Sequence, residues 1–369
     1  MPVVTPRLRL RPSRKGLSAF APKKATADRL SDLAGLRDNP GQLRPRIYVP
    51  EGLEEPAPLV VVLHGCTQDA AVYDHGSGWS QLADRNGFIL LFPEQQRANN
   101  PMLCFNWFSP GDTRRGGGEA ASIRSMIDAV GRAHEVDPER IFVTGLSAGG
   151  AMAAVMLAAY PEVFSAGAII AGVAYGCADG VGEAFDCMGG RARADAATLA
   201  GNVRRASTHK GPWPRVQVWQ GSADHTVVPS NADAIVRQWT ELHGLAPTPN
   251  RTDKVEGHPR RTWLGPDGAP LIEQYTISGM AHGVPLAGGD ADSLGAAGAH
   301  MLDVGLSSTQ HIAQFFGIAP EGARAVPPAR QRAEAKPAAR PRAQPRPEPA
   351  ASGPQAVIEK ALRAAGLMR

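Results

Sequence analysis

Short, nearly continuous apolar runs alternate along most of this chain with longer amphipathic runs. The apolar runs Leu59 to Leu63 and Ile141 to Val143 are rich in β-branched residues, which is typical of strands buried on both faces. The strand and helix patterns follow in the order "RPRIYVP", "PLVVVLHG", "FILLFPE", "EAASIRSMIDAVGRAH", "IFVTG", "AGAIIAG", "RVQVWQG", "AIVRQWTEL", "QYTISG" and "STQHIAQFFG". This alternation predicts the α/β class, with a mostly parallel, doubly wound sheet covered by helices.

The same pattern divides the chain into four regions. Residues 39–318 form the predicted α/β domain, in which the Gly-rich stretch 173–214 forms a small Cys-containing lobe over the edge of the sheet. Residues 1–38 are a basic, partly disordered lead with a short amphipathic helix around "ADRLSDLAGL". Residues 319–354 are rich in Pro, Ala and Arg and predict a disordered linker. Residues 355–369 have the apolar spacing of a short amphipathic helix, which suits a frayed end or a contact with a protein or an apolar granule.

The net charge and the targeting signals indicate which partners and which compartment the sequence predicts. The net charge is +4, but the excess lies mainly in the two ends and accompanies no recognition motif, so no nucleic-acid partner is predicted. No stretch approaches the roughly 20 apolar residues of a transmembrane helix. The first residues lack the continuous apolar run of a cleavable secretion signal, which favours the cytoplasm. The four cysteines are compatible with two disulfides, which favour an oxidising compartment, or with four buried thiols.

The stretch "RIFVTGLSAGGAMAAVMLAAYP" places Ser147 on the turn between a predicted strand and a predicted helix. Gly145, Ser147 and Gly149 fit the G-x-S-x-G nucleophile elbow, a turn too sharp for larger flanking residues. The helix that follows directs its N-terminus at the serine, which favours negative charge on an attacked carbonyl. An ordinary Gly-rich turn fits the same five residues, so the assignment depends on partners elsewhere in the chain.

The partners follow in the order that an α/β-hydrolase requires, Ser, Asp, His. Asp224 comes just after the predicted strand in "VQVWQGSADHTV", and His282 follows the strand of "YTISGMAHGVP". Loops at the carboxyl ends of strands are where open α/β sheets bind their ligands. The competing residues are His225 as the base and Asp233 or Asp253 as the acid. Against these, His64, His225 and His300 lack the strand-then-loop context of His282.

Acyl transfer also needs donors for an oxyanion. The backbone N–H of Ala148, directly after the serine, is one expected donor, and the N–H of Cys66, in the loop after "PLVVVL", is the other. The side chain of His64 is expected to brace that loop. Cys177 and Cys187 close a short loop, whereas Cys66 and Cys104 each lie beside candidate site residues.

Several separated motifs follow one another along the chain, namely "LHGCTQD", "CFNWF", "RGGGEAASI", "VDPERIFVTGLSAGGAMAAVMLAAYPEVFSAGAIIAGVAYG", "GPWPRVQVWQGSADHTVVPSNADAIVRQWT" and "GMAHGVP". Together they resemble the polyhydroxybutyrate depolymerase family of esterases. The resemblance covers roughly residues 39–317. It implies an α/β-hydrolase fold, a Ser147–Asp224–His282 triad, no metal or organic cofactor, and hydrolysis of poly(3-hydroxybutyrate) or related short-chain polyesters. It also implies a Cys66–Cys104 bridge that holds the loop after "PLVVVL", here called the oxyanion loop because it carries the Cys66 donor. It further implies an extracellular location.

Two other functions fit the sequence. Related family members act on feruloyl or acetyl esters of plant polysaccharides, so a carbohydrate esterase is the alternative enzyme. The alternative that is not an enzyme is a granule-bound scaffold protein with a hydrolase fold. Three aromatic residues lie on or beside loops at the edge of the sheet that carries the candidate site, and we expect them to line an acyl-binding groove: Trp107, Phe108 and Trp213. Trp219 ends a strand, so we expect it in the core.

Overall fold

The strand Ala57–Leu63 is buried along its whole length, and its side chains divide between two apolar cores. Leu59, Val61 and Leu63 pack into one core, and Val60 and Val62 pack into the other. This division follows from the period of a β-strand, in which successive side chains point to opposite faces. The sheet therefore needs an apolar cover on both sides.

The structure, a computed structural model, describes residues 28–192, 194–289 and 293–320. Most of the predicted N-terminal lead, nearly all of the predicted linker and the whole predicted terminal helix lie outside the described residues. The strands are β1 (Ser31–Asp32), β2 (Arg44–Tyr48), β3 (Ala57–Leu63), β4 (Ile89–Glu94), β5 (Val136–Leu146), β6 (Ala166–Ile170), β7 (Arg215–Gly221), β8 (Arg251–Val255), β9 (His258–Leu264), β10 (Pro270–Ile277), β11 (Val284–Leu286) and β12 (Met301–Asp303). The helices are α1 (Ala70–Ser77), α2 (Trp79–Asn86), α3 (Pro110–Thr113), α4 (Gly118–Ala133), α5 (Ala148–Ala159), α6 (Val181–Met188), α7 (Ala196–Ala206), α8 (Ser230–His243) and α9 (Ser308–Phe316).

Ten of these strands form one sheet in the order β1-β2-β4-β3-β5-β6-β7-β10-β9-β8. The six strands from β4 to β10 in this order are parallel, and antiparallel pairs extend the sheet at both edges. Helices α4, α5, α7 and α8 contribute to the core on one face, and α1, α2 and α9 contribute to the core on the other. The predicted fold class is thus confirmed, as a mostly parallel sheet covered by helices on both faces.

The predicted lobe over residues 173–214 has two parts with different roles. Leu199 and Val203 on α7 are buried in the core beneath the sheet, so this helix belongs to the main helical layer. Only the segment around α6 stands apart, where Ala184 and Cys187 form a small apolar cluster with Ala151, Val173, Ala178 and Val227. A disulfide between Cys177 and Cys187 ties α6 back to the segment before it.

The predicted amphipathic helix around "ADRLSDLAGL" is wrong for the residues that the structure describes there. From residue 28 onward the segment is extended, and β1 pairs with the edge strand β2. Leu30 is buried in one core and Leu33 in the other. An ion pair joins Arg46 to Asp28 at 2.8 Å. Pairing and burial against the rest of the domain outweigh the weak helical preference of a short isolated segment.

No helix in the described part of the chain combines the length and the apolar character that a membrane crossing requires.

Candidate active site

Ser147 lies between the last residue of β5 and the first residue of α5, with a φ angle of 56° and a ψ angle of −117°. A positive φ is uncommon for a residue other than glycine and marks local strain. The Ser147 N–H donates to the carbonyl of Ile170 on the neighbouring strand at 2.9 Å, which fixes the turn. The serine side chain is thereby presented at the carboxyl edge of the parallel sheet.

The two glycines of the elbow are required by close backbone packing. A Cβ atom at Gly145 would clash with the carbonyl oxygen of Gly149, and one at Gly149 would clash with the carbonyl oxygen of Leu63 on β3. Larger residues would therefore push α5 away from the sheet. This is the steric reason for which the sequence pattern requires glycine on both sides of the serine.

His282 and Asp224 meet from two different loops. The Nδ1 atom of His282 lies 2.7 Å from Oδ2 of Asp224. Asp224 follows β7 and is 1% exposed, and its Oδ1 accepts the backbone N–H groups of Thr226 at 2.8 Å and Val227 at 2.9 Å. Because a carboxylate can only accept, Nδ1 of His282 carries the hydrogen and Nε2 is left as the basic atom of the neutral ring.

The competing acids and the competing base have other surroundings. Asp233 pairs with Arg261 at 2.5 Å, and Asp253 pairs with Arg260 at 2.7 Å, both toward the antiparallel edge of the sheet. His225 is exposed to solvent. Of the acids and bases considered from the sequence, His282 and Asp224 are therefore the ones that the fold brings together.

Ser147 and His282 line one cavity of about 250 Å³, and Cys66 and Ala148 line it as well. Among the residues that the structure describes, the backbone N–H groups of Cys66 and Ala148 have no hydrogen-bond partner. The N–H groups in the first turn of a helix have no partner inside the helix, which accounts for Ala148. Both amides are therefore free to donate to an oxygen inside this cavity.

The loop that carries Cys66 is held from several sides. Cys66 forms a disulfide with Cys104, and the Thr67 N–H donates to the carbonyl of Met102 at 2.7 Å. The N–H of Gly65 donates to Oε1 of Gln68 at 2.9 Å. These contacts join the loop after β3 to the segment that precedes Phe105, so the Cys66 amide has a fixed direction.

His64 braces this loop as expected and takes part in no contact with Ser147 or His282 that the structure records. Its Nδ1 donates to the carbonyl of Gly65 at 2.8 Å, and its Nε2 accepts the N–H of Gln95 at 3.1 Å. Burial lowers the pKa of His64 to about 4, so the ring stays neutral near neutral pH.

Sequence reasoning missed a buried carboxyl group, Glu119, that contacts Gln95, the residue whose backbone N–H binds His64. Its Oε1 accepts from Nε2 of Gln95 at 2.5 Å and from Nδ2 of Asn106 at 2.8 Å, and its Oε2 accepts the backbone N–H of Asn106 at 2.8 Å. Burial raises the pKa of Glu119 to about 8, against the opposing effect of these donors. The signal in the sequence is a charged residue on the otherwise small and apolar buried face of "GEAASI".

The predicted aromatic residues divide between the cavity and the core. Trp107 and Phe108 line the cavity, with their rings in edge contact at 5.4 Å. Trp219 is fully buried and stacks on Tyr275 at 3.9 Å, as expected for a core residue. Part of the remaining wall comes from α6, whose Val181, Ala184, Phe185 and Met188 line the cavity.

Trp213 is not among the residues that line this cavity, contrary to the expectation from the sequence. It lies two residues before β7, at the amino end of the strand, and its ring contacts His209 at 5.1 Å. A strand of seven residues spans roughly 23 Å, so the two ends of β7 lie on opposite edges of the sheet. Trp213 packs against the core on the far side.

Comparisons with known proteins agree on one family. A family model described as Esterase PHB depolymerase matches residues 43–256. The chain is 46% identical over 293 residues to poly(3-hydroxyalkanoate) depolymerase C of Paucimonas lemoignei, covering 78% of this chain and 70% of that one. It is 34% identical over 269 residues to an acetylxylan esterase of Coprinopsis cinerea, covering 71% of each chain. The solved structure of an acetyl xylan esterase from Aspergillus awamori is similar with a TM-score of 0.66 and 25% identity, over 79% of this chain and 99% of that one.

Proposed function

The chain belongs to the PHB depolymerase family of esterases and is a serine carboxylic-ester hydrolase, and from this premise we propose that Ser147, His282 and Asp224 form its catalytic triad. The observation that carries the proposal is the 2.7 Å contact between His282 and Asp224 at the cavity that Ser147 also lines. The buried Asp224 holds the imidazole in the tautomer whose Nε2 can accept a proton.

The proposed reaction proceeds in two acyl-transfer steps. Nε2 of His282 takes the hydroxyl proton of Ser147 while Oγ bonds to the ester carbonyl carbon and the carbonyl electron pair moves to its oxygen. The N–H groups of Cys66 and Ala148 donate to that oxyanion. The bond to the alcohol oxygen then breaks as His282 returns the proton to it, and water repeats the sequence on the acyl-enzyme.

The proposed substrates are poly(3-hydroxybutyrate) or related short-chain polyesters and their oligomers. Two observations support this class: the family match, and a largely apolar cavity wall formed by residues such as Leu146, Val173 and Phe185, which suits short alkyl side groups. An acetyl or feruloyl carbohydrate esterase is the second candidate, supported by the similarity to the two acetylxylan esterases.

Release of 3-hydroxybutyrate from an amorphous poly(3-hydroxybutyrate) suspension tests the substrate class. The purified protein should release it, and Ser147→Ala should not. Hydrolysis of acetylated xylan or a feruloyl ester, without release from the polyester, would favour the second candidate.

The proposed domain organisation assigns catalysis to residues 39–318 together with the β1 segment that joins the same sheet. Residues 321–369 lie outside the described residues; this organisation assigns a linking role to residues 319–354 and a contact with a polymer granule or a protein to residues 355–369. Deletion of residues 321–369 should leave hydrolysis of a soluble ester unchanged and lower the fraction bound to polymer granules. Equal binding of the truncated and full chains would contradict the role given to residues 355–369.

A further inference from the structure

His300 is a polar residue of the cavity wall that the proposed mechanism does not use. It lines the same cavity as Ser147 and His282. The rings of His300 and His282 meet edge to face, with centroids 5.8 Å apart and planes at 78°. A second imidazole is thus in direct contact with the proposed general base.

The backbone around His300 is held in an unusual conformation. Its φ angle is 59°, in the left-handed region. Its carbonyl oxygen accepts the N–H of Val284 at 2.8 Å, and β12, which begins directly after it, pairs in parallel with β11. A Cβ atom at Gly283 would lie 2.7 Å from that carbonyl oxygen, so the approach requires glycine there. Such strain persists only where the surroundings impose it, and it concentrates at functional sites.

The hydrogen-bond partner of His300 fixes its tautomer. Its Nδ1 lies 3.1 Å from the backbone carbonyl oxygen of His282. A carbonyl oxygen can only accept, so Nδ1 carries the hydrogen and Nε2 of the neutral ring is an unprotonated acceptor. Within residues 28–192, 194–289 and 293–320, no group donates to this Nε2.

The side-chain amide oxygens in the cavity wall, unlike Nε2 of His300, already accept hydrogen bonds. Oε1 of Gln68 accepts the N–H of Gly65, and Oδ1 of Asn100 accepts the N–H of Met102 at 2.9 Å. Much of the remaining wall is apolar. An unpaired acceptor in an apolar pocket favours a ligand that brings a hydroxyl donor, and it disfavours the analogue that lacks one.

We propose that His300 is a specificity-determining residue, whose Nε2 accepts a hydrogen bond from a hydroxyl group on the acyl part of the substrate. The enzyme would then favour hydroxyacyl esters over simple acyl esters. This inference rests on the proposed function, because it assumes that Ser147 and His282 carry out hydrolysis in this cavity. A free hydroxyl of this kind exists at the hydroxyl end of a 3-hydroxyacyl oligomer, on the second carbon from the carbonyl that the serine attacks.

The test compares p-nitrophenyl 3-hydroxybutyrate with p-nitrophenyl butyrate in the full chain and in His300→Asn. Asparagine tolerates a positive φ and keeps an amide donor near the position of Nδ1, but it has no group at the position of Nε2. We expect His300→Asn to lower kcat/KM for the hydroxy ester about tenfold, the factor that one neutral hydrogen bond supplies, and kcat/KM for the butyrate by less than about threefold. His75→Asn, at an exposed histidine on α1, is the matched control.

The ratio of the two kcat/KM values does not depend on the fraction of folded enzyme, because both esters are assayed with the same preparation. An equal loss on both esters would limit His300 to holding the His282 loop and would overturn the proposal, as would no change on either. Ser147→Ala distinguishes a failure of the proposed function from a failure of the role proposed for His300. If Ser147→Ala keeps hydrolysing both esters, the proposed function itself fails; if it is inactive while His300→Asn keeps the wild-type ratio, only the role of His300 fails.

Discussion

The imidazole of His282 contacts the carboxylate of Asp224 at 2.7 Å, although 57 residues lie between them in the chain. The contact forms because β7 and β10 are adjacent and parallel, so the loops that follow them leave the same edge of the sheet. A Cβ atom at Gly221, the last residue of β7, would clash with the carbonyl oxygen of Met280, which shows how closely the two loops pack.

Replacement of Asp224 should abolish most activity without unfolding the protein. In Asp224→Asn the amide can donate to Nδ1 of His282, which favours the wrong tautomer and leaves no base at Nε2. We expect kcat for p-nitrophenyl butyrate to fall about 10⁴-fold, as in other serine hydrolases. Asp233→Asn is the matched control, because Asp233 pairs with Arg261 away from the cavity. Similar losses in the two variants would contradict the role of Asp224.

Trp107 and Trp213 form a matched pair for testing the cavity wall. Both side chains pack against the same core, but of the two only Trp107 also lines the cavity. Trp107→Ala should raise KM for short-chain esters, and Trp213→Ala should lower the melting temperature with KM unchanged. Steady-state kinetics and thermal denaturation measure the two effects. An unchanged KM in Trp107→Ala would remove this residue from the binding site.

The Cys66–Cys104 disulfide should contribute to catalysis as well as to stability. The bridge joins residues 38 positions apart and holds the loop whose Cys66 amide is a proposed oxyanion donor. The Cys66→Ser/Cys104→Ser double variant should lose about 10²-fold in kcat, the effect of removing one such donor. Its free energy of unfolding should fall by about 2–5 kcal/mol.

The second disulfide provides the comparison. Cys177→Ser/Cys187→Ser loosens the α6 wall and leaves the oxyanion loop intact. This variant should change KM more than kcat. A kcat close to wild type in Cys66→Ser/Cys104→Ser would show that the bridge does not position the donor.

Glu119 should make stability depend on pH between its unfolded and folded pKa values. Burial raises its pKa from 4.5 to about 8. In that interval the folded state keeps a proton that the unfolded state releases, so the stabilisation is complete below about pH 4.5 and is lost as the pH rises through 8. Glu119→Gln should flatten this decline, as measured by urea denaturation at a series of pH values. The same slope in wild type and variant would assign the decline to other groups.

The central architecture was predictable because its signals are local. The apolar runs of β3, β4, β5, β6 and β7 and the amphipathic pattern of α4 identify the parallel sheet and its cover. The elbow around Ser147 combines a strand, a turn and a helix within one stretch of sequence. Asp224 and His282 could be placed at the same edge because each follows its own strand.

The features that sequence reasoning missed depend on contacts between distant segments. β8 ("RTDKV") is largely polar, so it lacks the apolar alternation of a strand and forms by pairing with β9. His300 lies against His282 at the point where the short strands β11 and β12 pair. Trp213 was misplaced because nearness to a strand in sequence does not distinguish its amino end from its carboxyl end.

Covalent labelling with a fluorophosphonate, mapped by mass spectrometry of the digested protein, tests the proposed catalytic triad most directly. The reagent reacts with a serine that a neighbouring base has activated. We expect a single labelled site at Ser147 in the wild type, loss of labelling in Ser147→Ala, and strongly slowed labelling in His282→Ala. Labelling of another serine, or labelling of Ser147 at an unchanged rate in His282→Ala, would contradict the triad.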